Sequence, residues 1–339
     1  MRAIDYEKPG SPEVLRIVEV DEPSILENEV LIDVSTAGVN FADLRQRVGA
    51  YALKPEVNQR MGLECAGTIV AVGTAATPWQ PGDAVCALLP GGGYAERVAV
   101  DSSLVLPLPK NVGLLTAGGL PEMAATVWSN LMEIGRLQAG QSVLIHGGAG
   151  GIGAGAIQIA HSLGAQVLAT CGSEEKMRVC EELGADTVIN YRTTDFVDVI
   201  HDVTDGVGVN LILDNMGAAY LSRNIAASAE DGKIVTIGLQ GGKIAEIDLG
   251  QMMSKRMSLH VTSLRDRPLV DRTRIVRGVL EQIWPLIECG AVRLLIDSSF
   301  DLSEVTQAHA RLESGDHVGK VLLTVSSEPE QLGTSKHRQ

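Results

Sequence analysis

The 339-residue sequence is poor in aromatic side chains, with 3 Phe, 5 Tyr and 3 Trp making up only 3% of the chain. Aliphatic packing must therefore dominate its core, and any ring inside a functional motif becomes a place to look for a planar ligand. Basic residues are also scarce: 28 Lys and Arg stand against 42 Asp and Glu, a formal net charge of −14. Nucleic-acid backbones are held by basic surfaces, so no nucleic-acid partner is expected. Cys65, Cys86, Cys171, Cys180 and Cys289 are an odd set without a C-x-x-C pair. That usage suits reduced thiols in a cytoplasmic protein rather than a disulfide framework or a zinc ribbon. No uncharged apolar run reaches the roughly 18 residues of a membrane span, and the N-terminus is acidic with no apolar signal region. Neither a membrane partner nor an export signal is expected.

Glycine is abundant instead, at 37 residues. Up to about residue 120 the chain reads as short strands (Val30 to Val34, Gly67 to Val72, Ala84 to Leu88, Tyr94 to Val100) punctuated by Gly and Pro turns, the pattern of a small β-barrel-like domain. From about Glu122 the texture changes. Apolar strands at 142–146, 166–170, 187–190, 211–214 and 233–238 alternate with helical segments. Strands apolar on both faces at this spacing predict a parallel sheet covered by helices, hence an α/β fold with a doubly wound sheet. A β-rich return is expected from about Ser258, then one long helix over about 269–288 and a last strand at 321–325.

Directly after the strand SVLIH comes GGAGGIGAGA, in which Gly148, Gly150 and Gly153 fit G-x-G-x-x-G and a helix follows. Glycines serve three needs there: a tight turn, close approach of backbone to a pyrophosphate, and close packing of helix on strand. Gly151 and Ile152 complete the expected phosphate cradle at the helix N-terminus, where free N–H groups favour negative charge. The second strand decides which dinucleotide fits. An NAD site expects an acid at its end. Here the strand runs into Cys171, Gly172, Ser173, Glu174, Glu175 and Lys176, with Tyr191 and Arg192 after the third strand. Donors and a cation suit a 2′-phosphate, so NADPH is the expected cofactor, provided that Glu174 and Glu175 turn away. The plainer alternatives are that Ser173 only caps the next helix and Lys176 is only a solvated residue.

These segments together resemble the medium-chain dehydrogenase/reductase superfamily. The resemblance is carried by GVNFADL (38–44), GLECAG (62–67), ALLPGGGYAERV (87–98), LPEMAATVW (120–128), the glycine turn, LGADTVINYR (183–192), NLILDNMGAAY (210–220), GLQGG (238–242) and TSLRDRP (262–268). Within the superfamily the chain is similar to the quinone oxidoreductases, most of all to the tumour-suppressor-inducible quinone oxidoreductases of animals and their bacterial relatives. The resemblance implies a GroES-like domain from 1–121 and 261–326, a Rossmann NADPH-binding domain from 122–260 and a flexible tail at 327–339. It also implies a homodimer joined through the Rossmann sheets, with the strand near 258–263 as the edge. Zinc-dependent relatives carry a Cys where Asn40 stands and a His in the triplet that here reads Gly62-Leu63-Glu64, so no metal is expected.

By the same resemblance, Asn40, Asp43 and Tyr51 are the catalytic candidates: Asn40 to seat cofactor and acceptor, Asp43 to orient backbone or Arg45, and Tyr51 to stack on a quinone and donate to its oxygen. Thr126 is expected at the nicotinamide end, and Asn215, Gly238 and Leu239 at the carboxyl ends of sheet strands, where ligands bind. Ser263, Leu264 and Arg265 are expected back at the cleft, with Arg265 equally able to lie at the surface, and Lys320 near the cofactor or simply as a solvated lysine at a strand start. The run Pro90 to Gly93 is either a platform beside the acceptor or a turn, the platform being favoured. His146 is read as a structural histidine satisfied by backbone. The leading expectation is an NADPH-dependent quinone reductase that works by positioning and hydride donation, without a dedicated acid. Two alternatives stand beside it: a reductase of α,β-unsaturated carbonyls, and a non-catalytic NADPH-binding redox sensor.

Overall fold

The β-branched segments of the first third pair antiparallel in the computed structural model, which describes residues 1–51 and 58–325. β1 (Arg2–Asp5) and β2 (Arg16–Glu19) form a ribbon. β3 (Glu29–Val39) is the long central strand of a second sheet with β4 (Glu64–Val72), β5 (Ala84–Leu88), β6 (Arg97–Asp101) and β7 (Val105–Pro107). Helix α1 (Phe41–Arg47) leaves the end of β3, and α2 (Leu114–Ala117) and α3 (Leu120–Val127) lead out of the sheet. The tail expected at 327–339 lies outside the described residues.

The remaining sheet is parallel throughout. Its strands are β8 (Ser142–His146), β9 (Gln166–Cys171), β10 (Thr187–Asn190), β11 (Val209–Asp214), β12 (Ser228–Thr236) and β13 (Ser258–Val261), in the spatial order β10-β9-β8-β11-β12-β13. The crossovers carry α4 (Gly151–Ser162), α5 (Glu174–Glu182), α6 (Phe196–Val203), α7 (Leu221–Ala227) and α8 (Leu249–Ser254). Successive residues of β8 point to opposite faces: Val143 and Ile145 join a core shared with Val30, Ile32 and Met123, while Leu144 joins Leu168, Phe196 and Ile212 on the other side. Aliphatic side chains fill both layers, as the shortage of rings requires.

Three expectations change here. The β-rich return begins at Ile296 rather than at Ser258: the strand from Ser258 is the sixth parallel strand, at the edge of the parallel sheet where the resemblance puts it. The long helix is two, α9 (Leu269–Gln282) and α10 (Trp284–Glu288), because Pro285 has no N–H to continue the ladder. The polar segment at 296–301 forms β14 (Ile296–Asp301), after which α11 (Val305–Glu313) leads to β15 (Lys320–Thr324). β14 and β15 join the antiparallel sheet, β15 pairing with β3 through Val321 and Val39. No helix among the described residues is long and apolar enough to cross a membrane.

Candidate active site

In the parallel sheet the strand order reverses between β8 and β11, and ligands of open α/β sheets bind at such a point, beyond the carboxyl ends of the strands. A cavity of about 660 Å³ opens there, bounded on the other side by the end of β3, α1 and the start of β15. The glycine turn forms its floor. Gly150, Gly151, Ile152 and Gly153 line the cavity at the N-terminus of α4. A side chain at Gly153 would run into Gly147 and Gly148 backbone, with Gly148 Cα only 2.8 Å from the added carbon. Gly148 is not part of the cavity wall: it lets the turn pack on β9 and α5, since a Cβ would meet Ala169 Cβ and Cys180 Sγ at 2.9 Å. Asn215 also lines the cavity, and its buried Oδ1 has no partner among the described residues. A glycine cradle and an orphaned amide oxygen fit a dinucleotide.

At the end of β9 the wall is made by Cys171, Gly172, Lys176, Tyr191 and His317. Gly172 leaves room for its neighbours, since a Cβ would stand 2.6 Å from the Tyr191 hydroxyl and 3.3 Å from Arg192 Nε. The Lys176 ammonium donates to the Gly315 carbonyl at 2.5 Å. Burial lowers the Lys176 pKa, and the charge of Arg192 lowers it further. His317 Nδ1 is buried without a partner among the described residues. Glu174 and Glu175 are exposed and outside the cavity wall. Ser173 is outside it too, because its hydroxyl accepts the Lys176 N–H at 3.3 Å and caps α5.

The opposite wall centres on a buried ion pair. Lys320 Nζ lies 2.6 Å from Glu64 Oε1 and donates to Asn40 Oδ1 at 2.6 Å, while Asn40 Nδ2 donates to Glu64 Oε1 at 2.9 Å. Gly38 has no side chain to obstruct this triad, since a Cβ there would fall against Glu64 and Lys320. Glu64 was not anticipated, although the GLECAG segment holds it. Asn40 and Lys320 line the cavity with Thr126, Gly238, Leu239, Ser263 and Leu264. Asp43 does not. It accepts from Asn40 N–H at 2.9 Å, Gly62 N–H at 3.0 Å and the Tyr94 hydroxyl at 3.1 Å, so it caps α1 and anchors the neighbouring loop, and it makes no pair with Arg45. Burial raises its pKa against these donors.

Tyr51 lines the cavity with its hydroxyl committed: it donates to Asp266 at 3.0 Å and pairs with Ser263 at 3.1 Å. Burial, foremost, pushes the phenol up to about 12, which keeps it protonated. Arg265 lies over its ring at 5.6 Å and donates to the Pro90 carbonyl at 2.7 Å and to Gln46 at 2.7 Å. Gly91, Gly92 and Gly93 are not a platform in the cavity. Gly91 packs against the backbone of Asn58 and Arg60 and beneath Arg265, where a Cβ would lie 2.9 Å from the guanidinium, while Gly92 packs on Asn58 and Gly93 on the backbone of Gly62 and Glu64. His146 is structural but is held by side chains rather than backbone: Thr170 lies 3.0 Å from Nδ1 and Nε2 donates to Asn224 at 2.8 Å. Burial lowers its pKa to about 4, so it stays neutral.

At the place where zinc-dependent relatives hold their metal, Asn40 and apolar Leu63 offer no imidazole or thiolate, and the cation beside Glu64 is the Lys320 ammonium. This donor set does not fit a catalytic zinc. Removing one partner of a buried ion pair leaves the other uncompensated. Lys320→Met should therefore lower stability by about 3–5 kcal/mol in urea denaturation, and Glu64→Gln combined with it should recover part of the loss. Equal stability of wild type and the Lys320→Met variant would remove the pair from this structural role.

Two family sequence models match the chain: the alcohol dehydrogenase GroES-like domain over residues 26–110 and the zinc-binding dehydrogenase over residues 183–323. The quinone oxidoreductase of Rattus norvegicus is 32% identical over 326 residues, 95% of this chain and 97% of that protein. A phenolphthiocerol/phthiocerol polyketide synthase of Mycobacterium tuberculosis is 29% identical over 95% of this chain, which spans only 15% of that much longer protein. Among solved structures, Escherichia coli quinone oxidoreductase complexed with NADPH superposes with a TM-score of 0.87 at 27% identity, covering 96% of this chain and 100% of that one. The CurK enoyl reductase superposes at 0.85 with 29% identity, covering 96% and 99%. With a relative above 30% identity matched over nearly its whole length and both domain models found, the chain belongs to the quinone oxidoreductase family of the medium-chain dehydrogenase/reductase superfamily.

Proposed function

We propose that this protein is an NADPH-dependent reductase that transfers hydride, without zinc, to a quinone in the cavity between its two sheets. The observation that carries the reading is the glycine cradle at the switch point, flanked at one end by Lys176, Arg192 and His317 and at the other by the polar wall of Asn40 and Thr126. Bound there, NADPH supplies the hydride. The N-terminal turn of α4 holds the pyrophosphate, Lys176 and its cationic neighbours meet the 2′-phosphate, and Asn215 supplies an amide to the cofactor. Thr126, Asn40 and Tyr51 border the space left for a planar acceptor. Positioning two reactants face to face in a cleft lowers the barrier before any side chain takes part.

A second reading, reduction of α,β-unsaturated carbonyls, is favoured by the likeness to an enoyl reductase and to a polyketide synthase segment. Both readings need an acceptor that is electron-poor without Lewis-acid help. A matrix of NADPH and NADH against 1,2- and 1,4-quinones, alkenals and enoyl thioesters separates them: turnover confined to quinones supports the first, turnover confined to enals or thioesters the second. Lys176→Ala should raise the KM for NADPH by roughly tenfold, about 1.4 kcal/mol of lost charge-assisted bonding, and leave the KM for NADH nearly unchanged. Equal loss with both cofactors would argue against a 2′-phosphate site at Lys176.

We also propose a homodimer formed along β13. Among the described residues this strand pairs with β12 alone, so its other edge carries open backbone groups, which proteins seldom leave uncovered. Val261 on the strand is 67% exposed, and Ile244 and Met253 nearby are 85% and 78% exposed. Light scattering should give twice the chain mass for wild type and a monomer for Val261→Lys; a monomeric wild type would remove the proposal.

A further inference from the structure

One ionisable group in the cavity belongs neither to the cofactor cradle nor to the ion pair. Glu122 stands in the first turn of α3, one turn before Thr126, so both side chains share the helix face that borders the cavity. Its backbone N–H donates to Glu64 Oε2 at 2.8 Å. Its carboxyl makes no hydrogen bond to any described residue. The charges around it come from five places: Glu64 on β4, Lys320 on β15, Asp43 on α1, Arg265 after β13 and Arg272 on α9. Lys320 is already paired with Glu64, and Arg265 donates to Pro90 and Gln46. Their charges, and that of Arg272, still favour the ionised form, but none of the three makes an ion pair with the Glu122 carboxyl. Burial above all, and then the charge of Glu64, push the Glu122 carboxyl up to about 8. At neutral pH it is mostly a neutral acid whose proton has no acceptor among the described residues.

We propose that Glu122 is the proton donor of the reaction, giving its carboxyl proton to the acceptor oxygen that becomes anionic on hydride uptake. This rests on the reductase reading above and adds to it the acid that sequence reasoning considered unnecessary. A quinone that accepts hydride from the dihydronicotinamide gains two electrons and one hydrogen and is left as a hydroquinone monoanion. The Glu122 O–H bond then breaks, an O–H bond forms on the monoanion, and the carboxylate regains a proton from water entering the cavity. NADPH, quinone and one proton are consumed; NADP⁺ and hydroquinone are formed. An enal leaves an enolate that takes the same proton. A donor titrating near the working pH is both populated and able to release its proton.

The test compares wild type with Glu122→Gln, which keeps the shape of the side chain, and Glu122→Asp, which keeps the acid. Glu122→Gln should bind NADPH as wild type does, by quenching of protein fluorescence, while kcat with a 1,4-quinone at pH 7 falls by roughly 100-fold. Wild-type kcat should decline as pH rises through about 8, a limb that Glu122→Asp retains and Glu122→Gln lacks. Infrared difference spectra give a readout without turnover: the carbonyl band of a protonated carboxylic acid should be present in wild type at pH 7, vanish on alkaline titration and be missing in Glu122→Gln. Because folding favours the protonated form, this carboxyl's contribution to stability is full below the ordinary glutamate range and is lost as pH rises toward about 8; Glu122→Gln should flatten that dependence. Full turnover with an unchanged pH profile in Glu122→Gln, or a wild type without the infrared band, would overturn the proposal alone. A wild type that oxidises NADPH with no quinone, enal or enoyl thioester would instead overturn the reductase reading on which it rests.

Discussion

The Lys320 ammonium, set between Glu64 and Asn40, ties together the parts that make the cavity. Gly319, the residue before it, bridges Gly150 in the glycine turn, and Val321, the residue after it, pairs with Val39 at the end of β3. The last strand of the antiparallel sheet therefore touches the cofactor turn of the parallel one through its backbone, and one side chain neutralises a carboxylate that has no access to water. Glu64 in turn holds the N–H that starts α3, and α3 carries Glu122 and Thr126 to the cavity. A buried charge cannot drift from its partner without a cost of several kcal/mol, so these elements keep one relative position.

The same pair shapes the chemistry of the cavity. Had Lys320 been free, its ammonium would have favoured the ionised form of Glu122; committed to Glu64, it leaves a second, half-buried carboxyl beside a first. Two carboxylates close together cannot both ionise easily, and Glu122, which has no ion pair of its own, is the one whose pKa is raised. At the far end the logic reverses. Arg192 and Arg311 stand near Lys176 at the end of β9, although the chain as a whole carries −14. An acidic surface repels a polyanionic cofactor at long range, and the local field at the end of β9 must overcome it within about a Debye length, roughly 8–10 Å.

Much of this could be read along the chain. The strands at 84–88, 142–146 and 187–190 have the bounds the sequence suggests, because apolar residues crowded between turn signals leave the chain few alternatives. β14 was missed since IDSSFD is mostly polar and only partly buried at the sheet edge, where hydrophobic pattern is weakest. The glycine turn, Lys176, Tyr191 and Asn215 lie at the cavity where motif spacing puts them. Asp43 and Ser173 do not, as both sit at helix starts and short polar side chains there are taken by backbone N–H groups. The three glycines at 91–93 answered to a close approach, but the partners were Arg265 and Asn58 and the backbone of Gly62 and Glu64 rather than a ligand.

Local chemistry, then, was decided by the sequence itself: a tight turn needs glycine, a parallel strand needs apolar residues on both faces, and a phosphate needs a helix start, all of them matters of a few adjacent residues. Tertiary structure alone decided which charges meet. Lys320 is 280 residues from Asn40, Glu64 and Glu122 are 58 apart, and Arg265 is 219 from Gln46. Ionisation depends on burial and on neighbours within a few ångströms, and neither quantity exists until the two sheets close on each other.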